Sequence, residues 1–433
     1  MTPYDLILGC LIFAASAHFI SIAVLLVRPY VRRPSAPDKR PPVTILRPAT
    51  GLENNIEETL ASAFAIDYPE FEIVFCVQDP ADAVISLVER LMAEHPNVPS
   101  RLLVGDDRIS INPKLNNLVK GWRAARYEWI VMADSNVLIP PNYLDDLLSR
   151  WTADVGLVCS PPVGTRPEGI GAELECAFLN TYQARWQLTA DAFGIGFAQG
   201  KTMLWRRDIL DRAGGIAALA SEPAEDAAST KIVNEAGNRV RLVRNPYPQP
   251  LGHRPLAEIW KRQLRWARLR RATFAPLYAT ELVSGGFLPL TAAAILIAMG
   301  PPTWPGFVAL FVGWYGAELL LAARMGWPVS PRIALLFLVR DLALPILWIA
   351  GWTGNTFVWR GNAMDMQAML STRPARRPLS KRWPSGRVVR SFRALGAFGG
   401  PAGESLRAHA SQFRSQAIQK WKTRIGKARN TTR

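Results

Sequence analysis

The chain has 433 residues, of which 49% are hydrophobic, and its formal net charge is +16. This length and apolar content exceed what one small soluble domain needs, so we expect a catalytic part accompanied by membrane segments. The charge is concentrated in residues 373–433, which carry 16 Lys and Arg against one acid, so the body of the chain is nearly neutral. This distribution argues against nucleic acid as a partner and favours a tail that contacts anionic lipid headgroups or only solvent.

Residues 4–27 are mostly apolar, contain one acid, Asp5, and are long enough for the ~20 residues that span a bilayer. Arg28, Arg32 and Arg33 follow at once, so the positive-inside rule places the N-terminus outside and the next segment in the cytoplasm. A removable signal peptide is disfavoured because no basic n-region or small-residue cleavage site precedes the arginines. The four cysteines have no CxxC or zinc-like spacing, so we expect reduced thiols and a cytoplasmic catalytic part.

After a Pro-rich linker at 34–42, short apolar runs alternate with helical patterns up to about residue 275. Strand–helix alternation predicts an α/β domain with a mostly parallel, Rossmann-like sheet and helices on both faces. The predicted strands cover residues 43–48, 71–79, 100–106, 128–134 and 155–161.

Three further apolar segments follow, and the third holds Arg340 and Asp341 at its middle. A charged pair in lipid is costly unless it is mutually paired or faces protein, so that segment is either paired internally, tilted or re-entrant. Four full crossings would place the basic tail outside, whereas the positive-inside rule would place it inside, and the sequence leaves both open. The candidate spans are residues 279–299, 305–323 and 332–353. We expect a transmembrane helix over residues 1–33, a catalytic domain over 34–278, transmembrane helices over 279–358 and a disordered or membrane-surface tail over 359–433.

Polar residues that end apolar runs are the candidate ligand contacts, because open α/β sheets bind ligands beyond the carboxyl ends of their strands. Asp79 ends FEIVFCVQD and Asp82 follows three residues later, where a carboxylate could meet a base or ribose. Asp134 ends EWIVMAD and precedes Asn136 by two residues, an oxygen pair that suits a hard cation able to neutralise phosphate charge. Each aspartate could instead be an ordinary helix N-cap. Lys114 in INPKLNNL either reaches a phosphate or lies at the surface.

Two later clusters supply the remaining chemistry of a group transfer. Glu225 and Asp226 in SEPAEDAAST offer a carboxylate that could accept the proton of an attacking hydroxyl. The helical run IWKRQLRWARLRR carries Arg262, Arg265 and Trp266 on adjacent turns. Arginines suit diphosphate oxygens and tryptophan suits a sugar face or an acyl chain, although the same composition is typical of an interfacial membrane anchor.

The runs CVQDPAD, INPKLNNL, MADSNV, AED and RQLRW, in this order, resemble the ceramide glucosyltransferases, glycosyltransferase family 21. The resemblance covers roughly residues 1–360 and implies a GT-A fold. It places the family's three spaced aspartates at Asp82, Asp134 and Asp226, and its (Q/R)xxRW motif at residues 262–266. It also implies that Asp226 is the catalytic base, that the donor is UDP-glucose, and that the primary hydroxyl of ceramide is glucosylated with inversion.

The second aspartate site reads Asp-Ser-Asn rather than a strict DxD, so Asp134 would hold Mg²⁺ or Mn²⁺ together with phosphates and waters. Asp79 competes with Asp82 for the nucleotide, and His253 is either a loop histidine or a metal or phosphate ligand. The predicted nucleotide-sugar contacts are Asp79, Asp82, Lys114, Asp134, Arg262, Arg265 and Trp266.

Three alternatives remain beside this reading. The acceptor could be diacylglycerol, a hopanoid or a polyisoprenyl lipid, or the donor another UDP-sugar. A processive polysaccharide synthase would need more spanning helices than three or four to form a polymer channel. A binding protein on an inactive scaffold is disfavoured because the aspartates and the Arg265-Trp266 pair are all present. The expected location is a bacterial inner membrane, with the catalytic domain in the cytoplasm.

Overall fold

The computed structural model describes residues 2–31, 39–300, 303–359 and 362–365. Most of the predicted linker and residues 366–433 of the basic tail lie outside these residues, so the predictions for both segments stay untested.

The described residues form eleven strands, of which the first five correspond to apolar runs predicted from the sequence. They are β1 (Val43–Ala49), β2 (Phe71–Val77), β3 (Ser100–Val104), β4 (Trp129–Ala133), β5 (Val155–Ser160), β6 (Val163–Glu168), β7 (Thr202–Arg206), β8 (Arg239–Leu242), β9 (Pro248–His253), β10 (Thr356–Trp359) and β11 (Asn362–Asp365).

Seven of these strands form one sheet in the order β3-β2-β1-β4-β7-β5-β8. β1 to β4 run parallel to one another, as do β5 and β8, whereas β7 lies antiparallel between β4 and β5. Every residue of β1, β2 and β5 is buried, which is typical of strands covered on both faces. β6 and β9 form a separate parallel pair. The predicted mostly parallel α/β sheet is therefore confirmed.

The helices cover the sheet and form the apolar ends of the fold. They are α1 (Pro3–Val31), α2 (Ile56–Ala61), α3 (Val84–Glu94), α4 (Pro113–Ala124), α5 (Tyr143–Leu148), α6 (Gly169–Cys176), α7 (Arg185–Ala192), α8 (Arg207–Asp211), α9 (Glu225–Glu235), α10 (Leu256–Thr280), α11 (Phe287–Met299), α12 (Trp304–Arg324) and α13 (Ile333–Trp352), with a π-helical turn over Ala177–Ala184 between α6 and α7.

Four helical segments of the described chain are long and apolar enough to cross a membrane, one near the N-terminus and three toward the C-terminus. The predicted membrane protein with apolar helices on both sides of an α/β domain is confirmed in this respect. The segments are Pro3–Arg28, Leu256–Met299, Trp304–Arg324 and Ile333–Trp352.

The second of these segments differs from the sequence prediction at its start. The sequence analysis placed the end of the catalytic domain at residue 278, but α10 continues through that residue. The domain boundary itself stays a prediction. Phe274 has non-helical dihedral angles, and Pro276 follows inside the helix. Proline lacks an amide donor and crowds the preceding turn, so α10 is kinked at this point rather than divided.

Arg340 and Asp341 are buried inside the bundle, and α13 runs through them as one helix. Arg340 lies 2.9 Å from Glu318 of α12 and 2.8 Å from Asp341. Asp341 also accepts hydrogen bonds from the Gly286 amide and the Tyr315 hydroxyl. Arg340 and Asp341 are therefore mutually paired and face protein, whereas a tilted or re-entrant path of this segment stays a prediction. The charges are tolerated because each one meets an opposite charge or a hydrogen-bond partner.

α1 is fixed to the same bundle and to α7 by polar side chains. His18 stacks on Trp314 of α12 with ring centroids 3.6 Å apart. Arg185 of α7 donates to His18 Nδ1 at 3.0 Å and to the Ser21 hydroxyl at 2.8 Å. The first apolar helix is thus held against an element that belongs to the α/β part of the chain.

Candidate active site

One edge of the sheet gathers five of the predicted site residues, which are Asp79, Asp82, Lys114, Asp134 and Asp226. The parallel strands β1, β2 and β4 all end at this edge, and the antiparallel strand β7 begins there. The Asp134 amide donates to the Lys201 carbonyl at 3.0 Å, which joins the end of β4 to the start of β7. The strand directions thus bring the residues after three strands together with those before a fourth.

Lys114 lies at the centre of this edge, in the first turn of α4. Its ammonium is 2.6 Å from Asp134 Oδ1 and 2.7 Å from Glu225 Oε1, and it donates to the Gly200 carbonyl at 2.6 Å. Asn112 caps α4, because its side-chain oxygen accepts a hydrogen bond from the Lys114 amide. This bond fixes the backbone position from which the lysine side chain extends. The side chain is only 13% exposed, so the surface alternative for Lys114 is wrong. Burial alone would lower the pKa of Lys114, but the carboxylates of Asp134 and Glu225 raise it above its usual range.

Asp134 is held between two lysines. Lys201 Nζ lies 3.1 Å from Asp134 Oδ2 and also donates to Asn136 Oδ1 at 2.9 Å. Burial would raise the pKa of Asp134, yet the charges of Lys114 and Lys201 lower it to about 2. The carboxylate therefore stays ionised at any physiological pH. Sequence reasoning missed Lys201, whose only signal is its position at the start of an apolar strand.

Asp226 lies at the N-terminus of α9 and differs electrostatically from its neighbour. It accepts hydrogen bonds from the Gly200 amide at 3.2 Å and from the Ala227 amide at 2.7 Å. Burial and the adjacent charge of Glu225 raise the pKa of Asp226 to about 7, although Lys114 opposes this shift. A carboxylate with this pKa can exchange a proton near neutral pH.

Glu225 is occupied by structural contacts. Its Oε1 meets the Lys114 ammonium, and its Oε2 accepts from Asn112 Nδ2 at 2.7 Å. Both carboxylate oxygens therefore have buried partners, whereas the Asp226 side chain is partly exposed. Of the two carboxylates that the sequence left open, this arrangement favours Asp226 as the proton acceptor and gives Glu225 the role of holding Lys114.

Gly200 allows these groups to approach the backbone. A Cβ atom at this position would lie 2.7 Å from Glu225 Oε1 and 3.1 Å from Lys114 Nζ, closer than side-chain packing tolerates. The glycine before β7 therefore makes room for the ion pair between Glu225 and Lys114.

Asp82 organises the loops that follow β1 and β2. Its carboxylate accepts from the Thr50 hydroxyl at 2.7 Å, from the Gly51 amide at 2.9 Å and from the first amide of α3 at 2.9 Å. Asp79 is exposed and accepts from the amide two residues further on. Asp82 thus connects the loop after β1 with the start of α3 at this edge of the sheet. The Asp79 carboxylate faces solvent.

The predicted RQLRW motif lies in α10 and packs against α6. Arg262 forms an ion pair and a hydrogen bond with Glu175, which is fully buried on α6. Arg254 lies 3.8 Å from the same glutamate. Trp266 packs against a small apolar cluster that includes Cys176. Arg265 is partly exposed. Sequence reasoning missed Glu175, which no local motif distinguishes.

The loop between β1 and α2 connects α10 with the sheet edge. Asn54 Nδ2 donates to the carbonyls of Leu251 at 3.0 Å and His253 at 2.8 Å, immediately before α10. In the same loop, Glu53 accepts from Asn136 Nδ2 at 3.3 Å. His253 itself ends β9 and is exposed. The structure therefore brings Asp134 and Glu225 around the Lys114 ammonium, with Asp226 next to Glu225, and the loop links this cluster to the helix that carries the arginines.

The donor set at Asp134 suits a divalent cation that takes most of its ligands from elsewhere. Among the described residues, no group of three or more His, Cys, Asp or Glu is arranged to hold a metal. Asp134 Oδ1 is buried, and its partner among the described residues is the Lys114 ammonium at 2.6 Å. Mg²⁺ in particular is often bound by one or two carboxylates together with substrate phosphates and water. An ionised Asp134 beside the Asn136 amide oxygen fits that pattern.

The chain is similar to known proteins over most of its length. The sequence model of the family described as Glycosyl transferase family 21 matches residues 11–370. Ceramide glucosyltransferase 1 of Caenorhabditis elegans is 25% identical over 370 residues, which cover 83% of this chain and 79% of that protein. The ceramide glucosyltransferase of Komagataella phaffii is 28% identical over 425 residues, covering 76% and 83%. A solved mannosyltransferase from Pyrobaculum calidifontis, in complex with GDP-Man and Mn²⁺, is 20% identical with a TM-score of 0.43, covering 80% of this chain and 97% of that one.

Proposed function

Because the chain belongs to glycosyl transferase family 21, we propose that it is a membrane-bound enzyme that moves glucose from UDP-glucose to the primary hydroxyl of ceramide, giving glucosylceramide. Relatives named ceramide glucosyltransferase align with most of its length, and apolar helices flank its α/β domain. The observation that carries the proposal is Asp226, a carboxylate with a pKa of about 7 beside the Lys114 ion-pair cluster.

The donor occupies the sheet edge in this proposal. Asp79 and Asp82 meet the nucleoside, and Lys114 balances the negative charge of the diphosphate. A divalent cation, Mg²⁺ or Mn²⁺, held by Asp134 would neutralise phosphate charge and ease departure of the diphosphate. Arg262, which Glu175 of α6 positions, completes the binding of the nucleotide-sugar together with Arg265 and Trp266.

The transfer itself is a single displacement with inversion. The ceramide oxygen forms a bond to the anomeric carbon, the bond from that carbon to UDP breaks, and its electron pair leaves with UDP. The hydroxyl proton passes to Asp226, whose carboxylate is fixed by the Gly200 and Ala227 amides. General-base assistance of this kind contributes about 10²–10⁴ in rate.

The acceptor reaches the site from the membrane, because the apolar helices pack directly against the α/β domain through His18 and Arg185. We further propose that the membrane is the inner membrane of a bacterium. The catalytic part would face the cytoplasm, since Arg28 ends the first apolar segment and the positive-inside rule assigns that end to the cytoplasm.

A transfer assay tests the proposal. Detergent-solubilised full-length protein receives labelled UDP-glucose with Mg²⁺ or Mn²⁺ and either ceramide, diacylglycerol or no lipid, with UDP-galactose run in parallel. We expect label on ceramide from UDP-glucose, and its loss in Asp226→Asn. Label on diacylglycerol alone would refute ceramide as acceptor, and transfer only from UDP-galactose would refute the donor. No transfer by folded protein under any of these conditions would refute the proposed activity.

A further inference from the structure

A second charged cluster lies where α1 meets the α/β domain. Asp191, near the end of α7, is 1% exposed and is surrounded by guanidinium groups. Arg28 approaches it at 2.7 Å, Arg150 at 3.1 Å and Arg241 at 3.3 Å. Arg244 lies close enough to repel the charge of Arg150. We call these four arginines the arginine cluster.

The three arginines that meet Asp191 carry more positive charge than its carboxylate balances. Besides Asp191, the acid that the cluster influences is Asp146, which accepts a hydrogen bond from the Tyr247 hydroxyl at 3.0 Å. Among the described residues, the guanidinium groups of Arg28, Arg150 and Arg241 thus share the single carboxylate of Asp191. Burial lowers the pKa of Arg150, and the charges of Arg241 and Arg244 lower it further, despite Asp191. Partly buried like charges of this kind are stabilised when an anion joins them.

One hydrogen-bond donor of the cluster is unused. Arg28 Nη2 donates to Asp191 and to the carbonyls of Leu242 and Val243 at the end of β8. Arg28 Nη1 is buried and has no hydrogen-bond partner among the described residues. A buried donor without a partner costs free energy that an anionic oxygen would recover. The site is reachable, since the Arg150 and Arg241 side chains are 17% and 24% exposed.

The position of the cluster indicates where such an anion would come from. Arg28 is the last residue of the apolar segment Pro3–Arg28, so it lies where the hydrocarbon layer gives way to headgroups and water. Arg32 and Arg33 follow in the sequence. Guanidinium groups bind phosphate oxygens through paired, charge-assisted hydrogen bonds, more specifically than a lysine ammonium does.

We propose that the arginine cluster binds a phosphate group, supplied by the headgroup of an anionic phospholipid at the membrane surface. The bound phosphate would join the end of α1 to β8 and α7, and so fix the catalytic part at the membrane. This site is separate from Asp134 and Asp226 and does not depend on the identity of the sugar or the acceptor.

The test measures lipid binding to the full-length protein in detergent by native mass spectrometry. The probes are dioleoyl phosphatidic acid and dioleoylglycerol, which differ only in the phosphate, with inorganic phosphate as a competitor. The variant is Arg241→Gln, which leaves Asp191 paired with two other arginines. Its matched control is Arg239→Gln on the same strand, which removes the same charge but pairs with Asp154 outside the cluster. Arg244→Gln is the second variant in case the first fails to fold.

We expect phosphatidic acid to bind the wild type at least about tenfold more tightly than dioleoylglycerol does, since charge-assisted hydrogen bonds are strong. Arg241→Gln or Arg244→Gln should lose most of that preference, and Arg239→Gln should keep it. Displacement by millimolar inorganic phosphate would identify free phosphate as an equal source, and its failure would identify the lipid. Equal binding of the two lipids would overturn the site. So would equal losses in the cluster variants and the control, since general charge, including that of the basic tail, would then explain the binding.

Discussion

The pKa of Asp226 gives the sharpest prediction for the wild-type enzyme. A base with a pKa of about 7 is ionised in only about one tenth of molecules at pH 6 and in about nine tenths at pH 8. We therefore expect kcat/KM for UDP-glucose, which reports the free enzyme, to rise with pH along a limb whose midpoint lies near 7. An ordinary aspartate, with a pKa near 3.8, would give a flat profile over this range.

Asp226→Asn removes the base and should remove the pH limb with it. We expect kcat to fall by about 10²–10⁴ while UDP-glucose still binds, because the lysines at Asp134 are untouched. The assay is initial-rate transfer of labelled glucose to ceramide between pH 5.5 and 8.5, with UDP-glucose affinity measured separately. Asp211→Asn, at an exposed aspartate, is the control and should keep the wild-type profile.

A stability measurement separates loss of chemistry from loss of fold. The folded-state pKa of Asp226 lies above its ordinary value of 3.8, so the folded protein binds that proton more tightly than the unfolded chain does. The contribution of Asp226 to stability therefore falls as pH rises from about 4 through 7. Asparagine cannot ionise, so Asp226→Asn should melt at an equal or higher temperature than wild type at pH 8. A variant that keeps activity within tenfold, or keeps the acid limb, would refute the assignment of Asp226 as the base.

Three further substitutions test the contacts that build the site and its support. Gly200→Ala should lower kcat/KM by about tenfold with little change in Tm, because the new Cβ displaces the carboxylate of Glu225; unchanged kinetics would contradict the packing. Glu175→Gln leaves Arg262 without its buried counter-charge. It should raise the KM for UDP-glucose and lower the free energy of unfolding in urea by about 1–3 kcal/mol. An unaltered KM and stability would show that α6 does not position the motif. Glu318→Gln, in the apolar bundle, should cost about 3–5 kcal/mol because two buried arginines lose their carboxylate, and a Tm equal to wild type would refute that pairing.

The parts of the fold that were predictable are those that a local pattern encodes. Apolar runs of strand length located β1 to β5, and long apolar segments located the four candidate spans, because burial depends on hydrophobicity within a short window. The antiparallel strand β7 was not predicted, since nothing in its own sequence specifies the direction in which it pairs. The kink of α10 was not predicted either, because Pro276 was its only local signal in the sequence.

The candidate site shows the same division. Asp134 and Asp226 were found because a polar residue directly after an apolar run, or at a helix start, is visible in the sequence. Lys201 and Glu175 were missed because their importance comes from partners far along the chain, which the sheet and α10 bring to them. Lys114 was identified, but its burial was not, since the helix that carries it has a mixed composition that does not reveal what packs against its first turn.

Lys114 couples the binding of the donor diphosphate electrostatically to the proton acceptor, Asp226. Its ammonium contacts Asp134, which would meet the diphosphate, and Glu225, whose charge raises the pKa of Asp226. A diphosphate drawn to the ammonium would weaken its hold on these carboxylates and so diminish the one charge that keeps the pKa of Asp226 from rising further. Donor binding would therefore make Asp226 more basic at the moment when an acceptor hydroxyl can react. With no donor bound, Lys114 holds the pKa of Asp226 lower, so the midpoint of the pH limb should lie higher for kcat than for kcat/KM for UDP-glucose.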